Sequence, residues 1–341
     1  MDPILVVSFP AVGDFVRSHS AIQLIAQRCP NRPIDVVTSS VAAPLASLMP
    51  GVRKGWGLDK RPRRLGFMDR YRLAQQLRPE NYRTAYLLTS ATKAALAPWM
   101  AGIPERIGYP REFQFGLVNR FPADWLRQML TLGRQHLRFY EEICEIATLA
   151  SEPAPLEGWP APQLVIPPGQ MADWRQRNNV DVSKPVLTFY TSGLDDRRTW
   201  PIERFISIGR DYSLRGWSIW IAGASREHSA AAAIKAALPQ AFDFTIKSRI
   251  TDAMCQIAAS TLFLGVDGGL AHAAAALNVP SAIIFRPNWA FKDGPINRGV
   301  QLLEAPIATP SAIHGTRGVS EEQARDALTR LIAEKGLPPG G

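Results

Sequence analysis

One stretch of the sequence, residues 262–285, constrains the fold more than any other. It begins with a short apolar run of the kind that forms a buried parallel strand, and it ends with a second such run at 281–285. Between the two runs, Asp267 can cap a helix, and Gly268 and Gly269 leave the start of that helix without side chains. A glycine-lined helix N-terminus at the carboxyl end of a parallel strand is a site where anions bind. The stretch therefore predicts a strand, a turn, a helix and a strand around an anion site.

The same alternation of strands and helices fills both halves of the chain. In the first half the predicted strands are 4–9, 34–38 and 84–88, and the predicted helices are 15–28, 42–49, 68–77, 93–100 and 135–150. In the second half the predicted strands are 186–190, 218–222, 242–246, 262–264 and 281–285, and the predicted helices are 171–177, 202–214, 226–238, 252–258, 271–277 and 320–334. Such alternation implies parallel sheets with right-handed crossovers. The predicted fold class is α/β, with two Rossmann-like domains that face each other across a cleft.

A proline-rich segment, residues 151–168, separates the two halves. It holds six prolines and few periodic residues, as expected of a stiff linker. We therefore expect an N-terminal domain over residues 1–160 and a C-terminal domain over 161–341, with the final helix packing back on the N-terminal domain. A chain of 341 residues is long enough to build two such cores.

The composition is that of a globular protein from a reducing compartment. Hydrophobic residues make up 46% of the chain and charged residues 20%, and no apolar run approaches the roughly 20 residues of a membrane-spanning helix. The first residues have no basic leader, which predicts that the chain has no signal peptide. Cys29, Cys144 and Cys255 are odd in number and far apart, and so fit neither a disulfide framework nor a metal site. A cytoplasmic protein is expected.

The net charge of +9 predicts an anionic partner, which could be nucleic acid, a membrane surface or a phosphorylated substrate. Part of the excess lies in residues 53–83, where ten basic residues, among them Arg61, Arg63 and Arg64, accompany three acidic ones. Such a segment is either a solvated face or an anion-binding surface beside the cleft of the N-terminal domain, and the residues leave both readings open. Nucleic acid is disfavoured because the segment lacks interleaved stacking aromatics.

A glycine turn follows the first predicted strand and places Asp14 directly after Gly13. Asp14 can cap the helix that follows, which is a common role for aspartate. It can also act as a general base, because ligands bind at strand ends in α/β proteins and a carboxylate there can accept the proton of a hydroxyl group. His19 lies further along the same helix and is expected to be a surface histidine rather than an assistant to Asp14.

A charged segment follows the first strand of the second half. Its two arginines, Arg197 and Arg198, could stabilise negative charge that grows on a leaving phosphate group. They could equally be surface arginines, or one could stack on Trp200. Asp195 and Asp196 are adjacent, whereas an aspartate pair that holds a divalent metal on a nucleotide is often spaced by one residue. We therefore predict no metal requirement.

Two further polar residues lie near the starts of predicted helices in the second half. Glu227 could accept hydrogen bonds from ribose hydroxyls, or it could be a favourable anion in the first helical turn. His272 lies one turn into the helix that begins at Gly268. It could reach a bound phosphate, or it could be a buried histidine packed against the sheet.

Taken together, these segments resemble the heptosyltransferase family of glycosyltransferases, which build the inner core of lipopolysaccharide. Residues 12–14 resemble the catalytic turn of that family, and residues 198–201 resemble its basic-x-Trp-Pro segment. Residues 223–227 resemble its Gly-x-x-x-Glu turn, and residues 267–272 its Asp-Ser/Thr-Gly-x-x-His signature. The order and spacing of these short motifs extend over nearly the whole chain. Within the family, residues 101–120 are most similar to the second heptosyltransferase.

The resemblance implies a GT-B fold whose C-terminal half binds ADP-heptose and whose N-terminal half binds an anionic lipopolysaccharide core acceptor. It also implies an inverting, metal-independent displacement without a cofactor, in a cytoplasmic protein that rests on the inner face of the inner membrane. Asp14 would be the general base. The implied donor-binding residues are Arg198, Glu227, Asp267, Gly268, Gly269 and His272, and the acceptor-binding residues are Gly13, Arg61, Arg63 and Arg64.

Two positions depart from the family pattern. Gly268 stands where the family has serine or threonine, which removes a hydroxyl group but keeps the backbone donors. Arg286 begins an Arg-Pro-Asn-Trp segment where the family often has Gly-Pro-Thr, and this cation could add a phosphate contact or alter the choice of sugar. One alternative is therefore the same fold with a different nucleotide sugar or acceptor. Another is a non-catalytic sugar-nucleotide binding module, which would not need Asp14.

Overall fold

The structure is a computed structural model that describes residues 2–59, 66–110, 116–121, 139–148, 158–180, 183–191, 198–245, 249–305 and 315–337. Two compact units divide the chain, Met1–Pro162 and Gln163–Gly341. Each unit contains one parallel sheet with helices. Among the described ranges, no helix combines the length and the apolar character that crossing a membrane would require. The predicted site residues Arg61, Arg63 and Arg64, together with Asp195, Asp196 and Arg197, lie outside the described residues.

The sheet of the first unit has five described strands in the order β3-β2-β1-β4-β5. The strands are β1 (Ile4–Val7), β2 (Ile34–Thr38), β3 (Val52–Gly57), β4 (Thr84–Leu87) and β5 (Glu105–Gly108). The helices are α1 (Val12–Arg17), α2 (His19–Arg28), α3 (Phe67–Leu77), α4 (Thr92–Met100) and α5 (Phe139–Thr148), with a 3₁₀ helix at Ala43–Leu48. β1, β2 and β4 are buried along their whole length, because helices cover both faces of a parallel sheet.

The predicted helix at 15–28 is divided into α1 and α2 at Ser18. The hydroxyl of Ser18 donates a hydrogen bond to the carbonyl oxygen of Phe15 (2.6 Å) and accepts one from the hydroxyl of Ser8 (2.8 Å), the residue that follows β1. Serine competes with helical hydrogen bonding through local bonds of this kind. Ser18 therefore lies between α1 and α2 and joins them to the end of β1.

The sheet of the second unit has six described strands in the order β11-β10-β9-β6-β7-β8. The strands are β6 (Val186–Tyr190), β7 (Ser218–Ala222), β8 (Phe242–Asp243), β9 (Leu262–Val266), β10 (Ser281–Phe285) and β11 (Val300–Glu304). The helices are α6 (Pro168–Asn178), α7 (Ile202–Leu214), α8 (His228–Ala237), α9 (Ile250–Ala258), α10 (Gly269–Ala276), α11 (Ala290–Asp293) and α12 (Glu321–Lys335). A 3₁₀ turn at Ser225–Glu227 precedes α8.

The final helix, α12, has a side-chain cap and an apolar face. Ser320 caps it, accepting a hydrogen bond from the backbone N–H of Gln323 at 3.1 Å. The helix then packs on β9, β10, β11 and α7 of its own unit. Packing of this helix on the N-terminal domain stays a prediction. The buried residues of α12 are Ala324, Ala327, Leu328 and Leu331. These recur at the three- and four-residue spacing of a helix face, which defines an apolar stripe but not the surface that the stripe covers.

Both sheets share one topological feature. The first strand of each unit is central, with the next two strands on one side of it and the later strands on the other. The order therefore reverses between β1 and β4 in the first unit, and between β6 and β9 in the second. Ligands of open α/β sheets bind outside the carboxyl ends of the strands at such a reversal.

Candidate active site

At the reversal in the second unit, the ring of Tyr190 packs against two glycines. Tyr190 is the last residue of β6, Gly265 lies in β9, and Gly268 follows β9. A Cβ atom added to Gly268 would lie 2.8 Å from both Cε1 and Oη of Tyr190, and one added to Gly265 would lie 2.9 Å from its Cβ. Real Cβ atoms do not make contacts this short, so the close approach of the tyrosine requires a glycine at position 268. The glycines can be recognised in the sequence, but the sequence does not indicate that Tyr190 packs against them.

The carboxylate of Asp267 is buried beside the start of α10 but does not cap the helix. Gly268 is the N-cap residue and makes no side-chain hydrogen bond, so the predicted capping role of Asp267 is wrong. Instead, Oδ2 of Asp267 lies 3.0 Å from Nη1 of Arg198, and Oδ1 lies 3.6 Å from Nε2 of His272. The structure thus brings together three of the predicted donor-binding residues. His272 itself is 5% exposed, which also matches its alternative interpretation as a buried histidine packed against the sheet.

The pairing of Arg198 decides between the interpretations that the sequence left open. Its side chain is only 17% exposed, which contradicts a surface arginine. The stacking partner of Trp200 is a different cation, Arg204, whose guanidinium carbon lies 5.7 Å from the ring centroid. Trp200 is fully buried and donates a hydrogen bond from Nε1 to the carbonyl oxygen of Val319 at 2.9 Å. Arg198 is therefore a cation held by Asp267 at the carboxyl end of the sheet.

Glu227 is buried at the end of β7, and its contacts are local. Its Oε2 accepts a hydrogen bond from the backbone N–H of Ala224 at 2.7 Å, and its Oε1 accepts one from Nε of Arg226. A Cβ added to Gly223 would lie 2.8 Å from Cβ of Glu227, so the glycine allows the side chain to fold back. These contacts match the role in the first helical turn. Recognition of ribose by Glu227 stays a prediction.

Arg226 connects Glu227 to the tyrosine of the glycine cluster. Nη2 of Arg226 donates a hydrogen bond to Oη of Tyr190 at 3.2 Å. Burial opposes the charge of Arg226, but its hydrogen bonds to Glu227 and Tyr190 prevail and raise its pKa. Burial raises the pKa of Tyr190 to about 12, so its hydroxyl is protonated at neutral pH. Hydrogen bonds therefore link the end of β6 to the turn after β7, and the ring of Tyr190 in turn packs against Gly268 in the turn after β9.

In the first unit, Asp14 lies within α1 and not at its cap. The N-cap residue is Ala11, without a side-chain hydrogen bond, so the capping interpretation of Asp14 is wrong. The carboxylate instead accepts a hydrogen bond from Arg17 and remains 35% exposed. The guanidinium carbon of Arg17 lies 3.8 Å from the ring centroid of Phe139, which fixes the arginine against α5. The result is an oriented, accessible carboxylate near the carboxyl end of β1, directly after the buried Gly13.

His19 is fully buried, and the expectation of a surface histidine is wrong. Its Nε2 lies 2.9 Å from the carbonyl oxygen of Pro50, and its Nδ1 lies 3.4 Å from Nε2 of Gln23. Because a carbonyl oxygen can only accept, Nε2 carries the proton and Nδ1 accepts from Gln23. Burial lowers the pKa of His19 below its ordinary value, which fits a structural role for the neutral ring.

A cavity of about 390 Å³ lies at the carboxyl ends of β1, β2 and β4. Ser8 and Thr89 line it from the strand ends, and Arg70 and Lys93 line it from α3 and α4. Nε of Arg70 donates a hydrogen bond to the carbonyl oxygen of Lys93 at 2.7 Å, which ties the two helices together. Burial lowers the pKa of Arg70. The sequence suggests this cation only as one member of the basic segment.

The beginning of the basic segment is neutralised within the first unit. Arg53 donates from Nε to Asp35 at 2.9 Å and from Nη2 to Glu80 at 2.8 Å. Lys54 lies 2.9 Å from Glu80 and 3.6 Å from the ring centroid of Trp56. For these two residues the structure supports a solvated, paired face and not an anion site.

Among the described residues, no group of three or more histidine, cysteine, aspartate or glutamate side chains is arranged to hold a metal ion. Metal independence itself stays a prediction, because a divalent ion could also be brought by a nucleotide.

Comparison with known proteins identifies the family. Residues 70–312 match the family described as Glycosyltransferase family 9 (heptosyltransferase), which is more than half of the 341 residues. The chain belongs to glycosyltransferase family 9. Membership in this family confirms the resemblance on which the sequence interpretation rests, and it confirms the expected activity class, a glycosyltransferase.

The relatives are similar over most of their length. Lipopolysaccharide heptosyltransferase 2 of Escherichia coli (strain K12) is 28% identical over 291 residues, 84% of this chain and 83% of the relative. Its counterpart from Salmonella typhimurium is 28% identical over 351 residues, 98% of this chain and 99% of the relative. The solved structure of E. coli ADP-heptose lps heptosyltransferase II superposes with a TM-score of 0.82 at 24% identity and covers 98% of this chain and 99% of that one. This similarity confirms the α/β fold class of the GT-B type.

Proposed function

We propose that this family 9 member is a heptosyltransferase that moves a heptose from ADP-heptose to the inner core of lipopolysaccharide. The relatives named above support the acceptor class. The observation that carries the site is the pairing of Arg198 with Asp267 at 3.0 Å, beside the start of α10. There a guanidinium group and the first N–H groups of a helix can bind the same diphosphate.

In this proposal the second unit, residues 163–341, binds the donor. Arg198 contacts the diphosphate, and Gly268 and Gly269 let it approach the backbone of α10. Asp267 and His272 position Arg198 and the donor, and Glu227 accepts hydrogen bonds from the ribose. As the bond between the anomeric carbon and the phosphate oxygen breaks, negative charge grows on the leaving ADP. A fixed cation and preorganised N–H donors stabilise that charge, commonly by about 3–4 kcal/mol for each well-placed donor.

The first unit, residues 1–162, would bind the acceptor. Asp14 accepts the proton of the acceptor hydroxyl while the hydroxyl oxygen attacks the anomeric carbon from the face opposite the diphosphate, which inverts the configuration. Arg17 orients the carboxylate, so the base is held in place before the acceptor arrives. No metal ion or cofactor takes part in this mechanism.

The acceptor itself is anionic, and cations near the strand ends of the first unit would recognise it. Arg61, Arg63 and Arg64 remain proposed acceptor-binding residues together with Gly13, and the cavity adds Arg70 and Lys93. An acceptor embedded in a lipid bilayer would bring the protein to the inner face of the inner membrane from the cytoplasm. This accounts for the net charge of +9, since basic surfaces are attracted to anionic lipids.

The decisive experiment measures transfer from a set of nucleotide sugars to a core acceptor that carries one heptose. We expect turnover with ADP-heptose, and we expect the rate to persist in EDTA. Activity lost in EDTA and restored by magnesium would contradict the metal-independent mechanism. Faster turnover with GDP-heptose or an ADP-hexose would instead support the second candidate, the same enzyme class with another donor, which Arg286 favours because it introduces a cation at the donor side of the sheet.

A further inference from the structure

Two guanidinium groups lie near one indole ring at the edge of the proposed donor site. The guanidinium carbon of Arg286 lies 4.0 Å from the ring centroid of Trp289, and that of Arg198 lies 5.8 Å from it. The backbone of Trp289 is fixed from β11, because Oε1 of Glu304 accepts hydrogen bonds from the N–H groups of Trp289 (2.9 Å) and Ala290 (2.6 Å). The backbone that carries the indole is thus fixed, and both cations lie near its ring.

The register of the sheet places Arg286 beside the glycine turn. β10 runs parallel to β9, with Ile284 opposite Val266, and the backbone N–H of Asp267 donates to the carbonyl oxygen of Ile284 at 2.9 Å. Arg286 is the first residue after β10, and Gly268 is the second residue after β9. Both therefore leave the sheet at the same edge, beside the start of α10, and ligands of α/β sheets bind at this edge.

We propose that Arg286 is a further donor-binding residue, which contacts the diphosphate of the nucleotide sugar together with Arg198, and that Trp289 is the positioning residue for both. This inference rests on the proposed donor site. A guanidinium group that stacks on a ring uses its flat face, while its N–H groups point outwards in its plane, towards oxygen acceptors. A diphosphate offers oxygen acceptors to more than one guanidinium group, so Arg286 would add N–H donors to those of Arg198, which Asp267 holds at 3.0 Å.

The test compares ADP with adenosine by isothermal titration, because the two ligands share the base and ribose and differ in the diphosphate. For Arg286→Ala we expect ADP to bind about 10- to 100-fold more weakly, the range for losing a hydrogen bond between charged groups. The affinity for adenosine should stay unchanged. Arg286→Lys should lie between the two proteins, because lysine keeps the charge but not the planar arrangement of donors.

Variants of Trp289 separate positioning from folding. Trp289→Ala should lose affinity for ADP but not for adenosine, whereas Trp289→Phe keeps an aromatic surface and should keep most of the affinity. A purely structural role of either residue would instead lower the affinity for both ligands by the same factor, or would leave both unchanged, and either result overturns the inference.

Arg215 provides the matched control. Its guanidinium carbon lies 5.5 Å from the ring centroid of Tyr212 at the end of α7, so Arg215→Ala removes the same kind of stacked cation from another place in the same unit. It should leave the affinity for ADP unchanged. If the unaltered protein does not bind ADP, the proposed donor is wrong and the inference falls with it. If it binds ADP and Arg286→Ala binds equally well, only the inference is wrong.

Discussion

The hydroxyl of Tyr190 lies 2.8 Å from the position that a Cβ atom on Gly268 would occupy. The position of the Tyr190 ring therefore requires glycine at position 268, although the two residues are far apart in the chain. The family's serine or threonine at this position cannot be accommodated here without moving the tyrosine. The departure of Gly268 from the family pattern is thus accompanied by a phenol group at the same turn, and the two form one packing unit.

This packing predicts that Gly268→Ser destabilises the protein by about 1–3 kcal/mol, the usual range for overpacking a filled interior. In a protein that already carries Tyr190→Ala, the same Gly268→Ser change should cost less, because the ring that crowds the serine is gone. Urea unfolding measures both effects. Gly169→Ser is the control, because nothing lies within 4 Å of a Cβ at that position, and its effect should stay within about 0.5 kcal/mol. Additive effects of the two changes at 190 and 268 would show that their side chains do not compete for space.

The role proposed for Asp14 predicts that Asp14→Asn lowers kcat by about 10²- to 10⁴-fold, the usual contribution of a general base. The affinity for ADP should not change, because the proposed donor site lies in the other unit. Glu321→Gln is the matched control. It also removes the charge of a first-turn carboxylate paired with an arginine one turn later, here Arg325 at 2.7 Å, and it should keep kcat. Near-normal turnover of Asp14→Asn would exclude this carboxylate as the base.

The buried pair of Arg198 and Asp267 predicts a strong coupling. Arg198→Ala should destabilise the protein by about 3–5 kcal/mol, since it removes the guanidinium group that lies 3.0 Å from the buried carboxylate. The double variant Arg198→Ala/Asp267→Asn should be less destabilised than the sum of the single variants, because neither charge then remains. Unfolding free energies of the four proteins give the coupling directly. A coupling near zero would mean that the ion pair contributes nothing to the fold, and that Arg198 is held in place by other contacts.

The environment of His19 predicts a pH dependence of stability. Burial lowers its pKa below the ordinary value of 6.5, so the folded state holds the ring neutral. Above this value both states are neutral and the full stability is present. As the pH falls through it, the unfolded chain takes up a proton that the folded chain refuses, and the free energy of unfolding falls by up to about 1.4 kcal/mol per pH unit until the folded pKa is reached.

The measurement is urea unfolding between pH 5 and pH 8. In His19→Gln this part of the slope should disappear. His228, whose side chain is 54% exposed, supplies the control variant His228→Gln, which should keep the slope. An unchanged slope in His19→Gln would assign the pH dependence to other groups.

The buried strands could be predicted from the sequence. Of the described edge strands, β8 lies within the predicted strand 242–246, whereas β3, β5 and β11 were not predicted. β2, β6, β7 and β10 have the predicted bounds, because a continuous apolar run flanked by turn residues has few other places in a soluble protein. β3 contains Arg53, Lys54 and two glycines, and Gly55 is needed where a Cβ would lie 2.5 Å from the carbonyl oxygen of Ala43. Such a strand has neither the alternation nor the apolar run that marks a strand.

The site shows the same division. Short motifs are sufficient to select Arg198, Asp267 and His272, and the structure brings these residues together. What the sequence could not show is the partner of each residue. The capping role of Asp267 was a sound local inference, but a carboxylate can pair with a cation from a distant turn, and that choice depends on the order of strands in the sheet. Tyr190 and Trp289 could not be assigned to the candidate site from the sequence for the same reason, since their neighbours there also come from distant turns.

The strand order has a consequence for how the chain is made. In the middle of each sheet, a strand from early in the unit pairs with a strand from later in it. Ile4 of β1 lies opposite Thr84 of β4, and Leu187 of β6 lies opposite Leu262 of β9. During synthesis on the ribosome, one edge of β6 therefore stays unpaired until β9 has emerged. A nascent chain with an unpaired strand edge is prone to aggregate. Arg198 reaches Asp267, and Tyr190 reaches Gly268, only when β6 and β9 have paired. The proposed ability to bind a nucleotide would thus be acquired late in biosynthesis, and chains that end before β9 should lack it and should depend on chaperones.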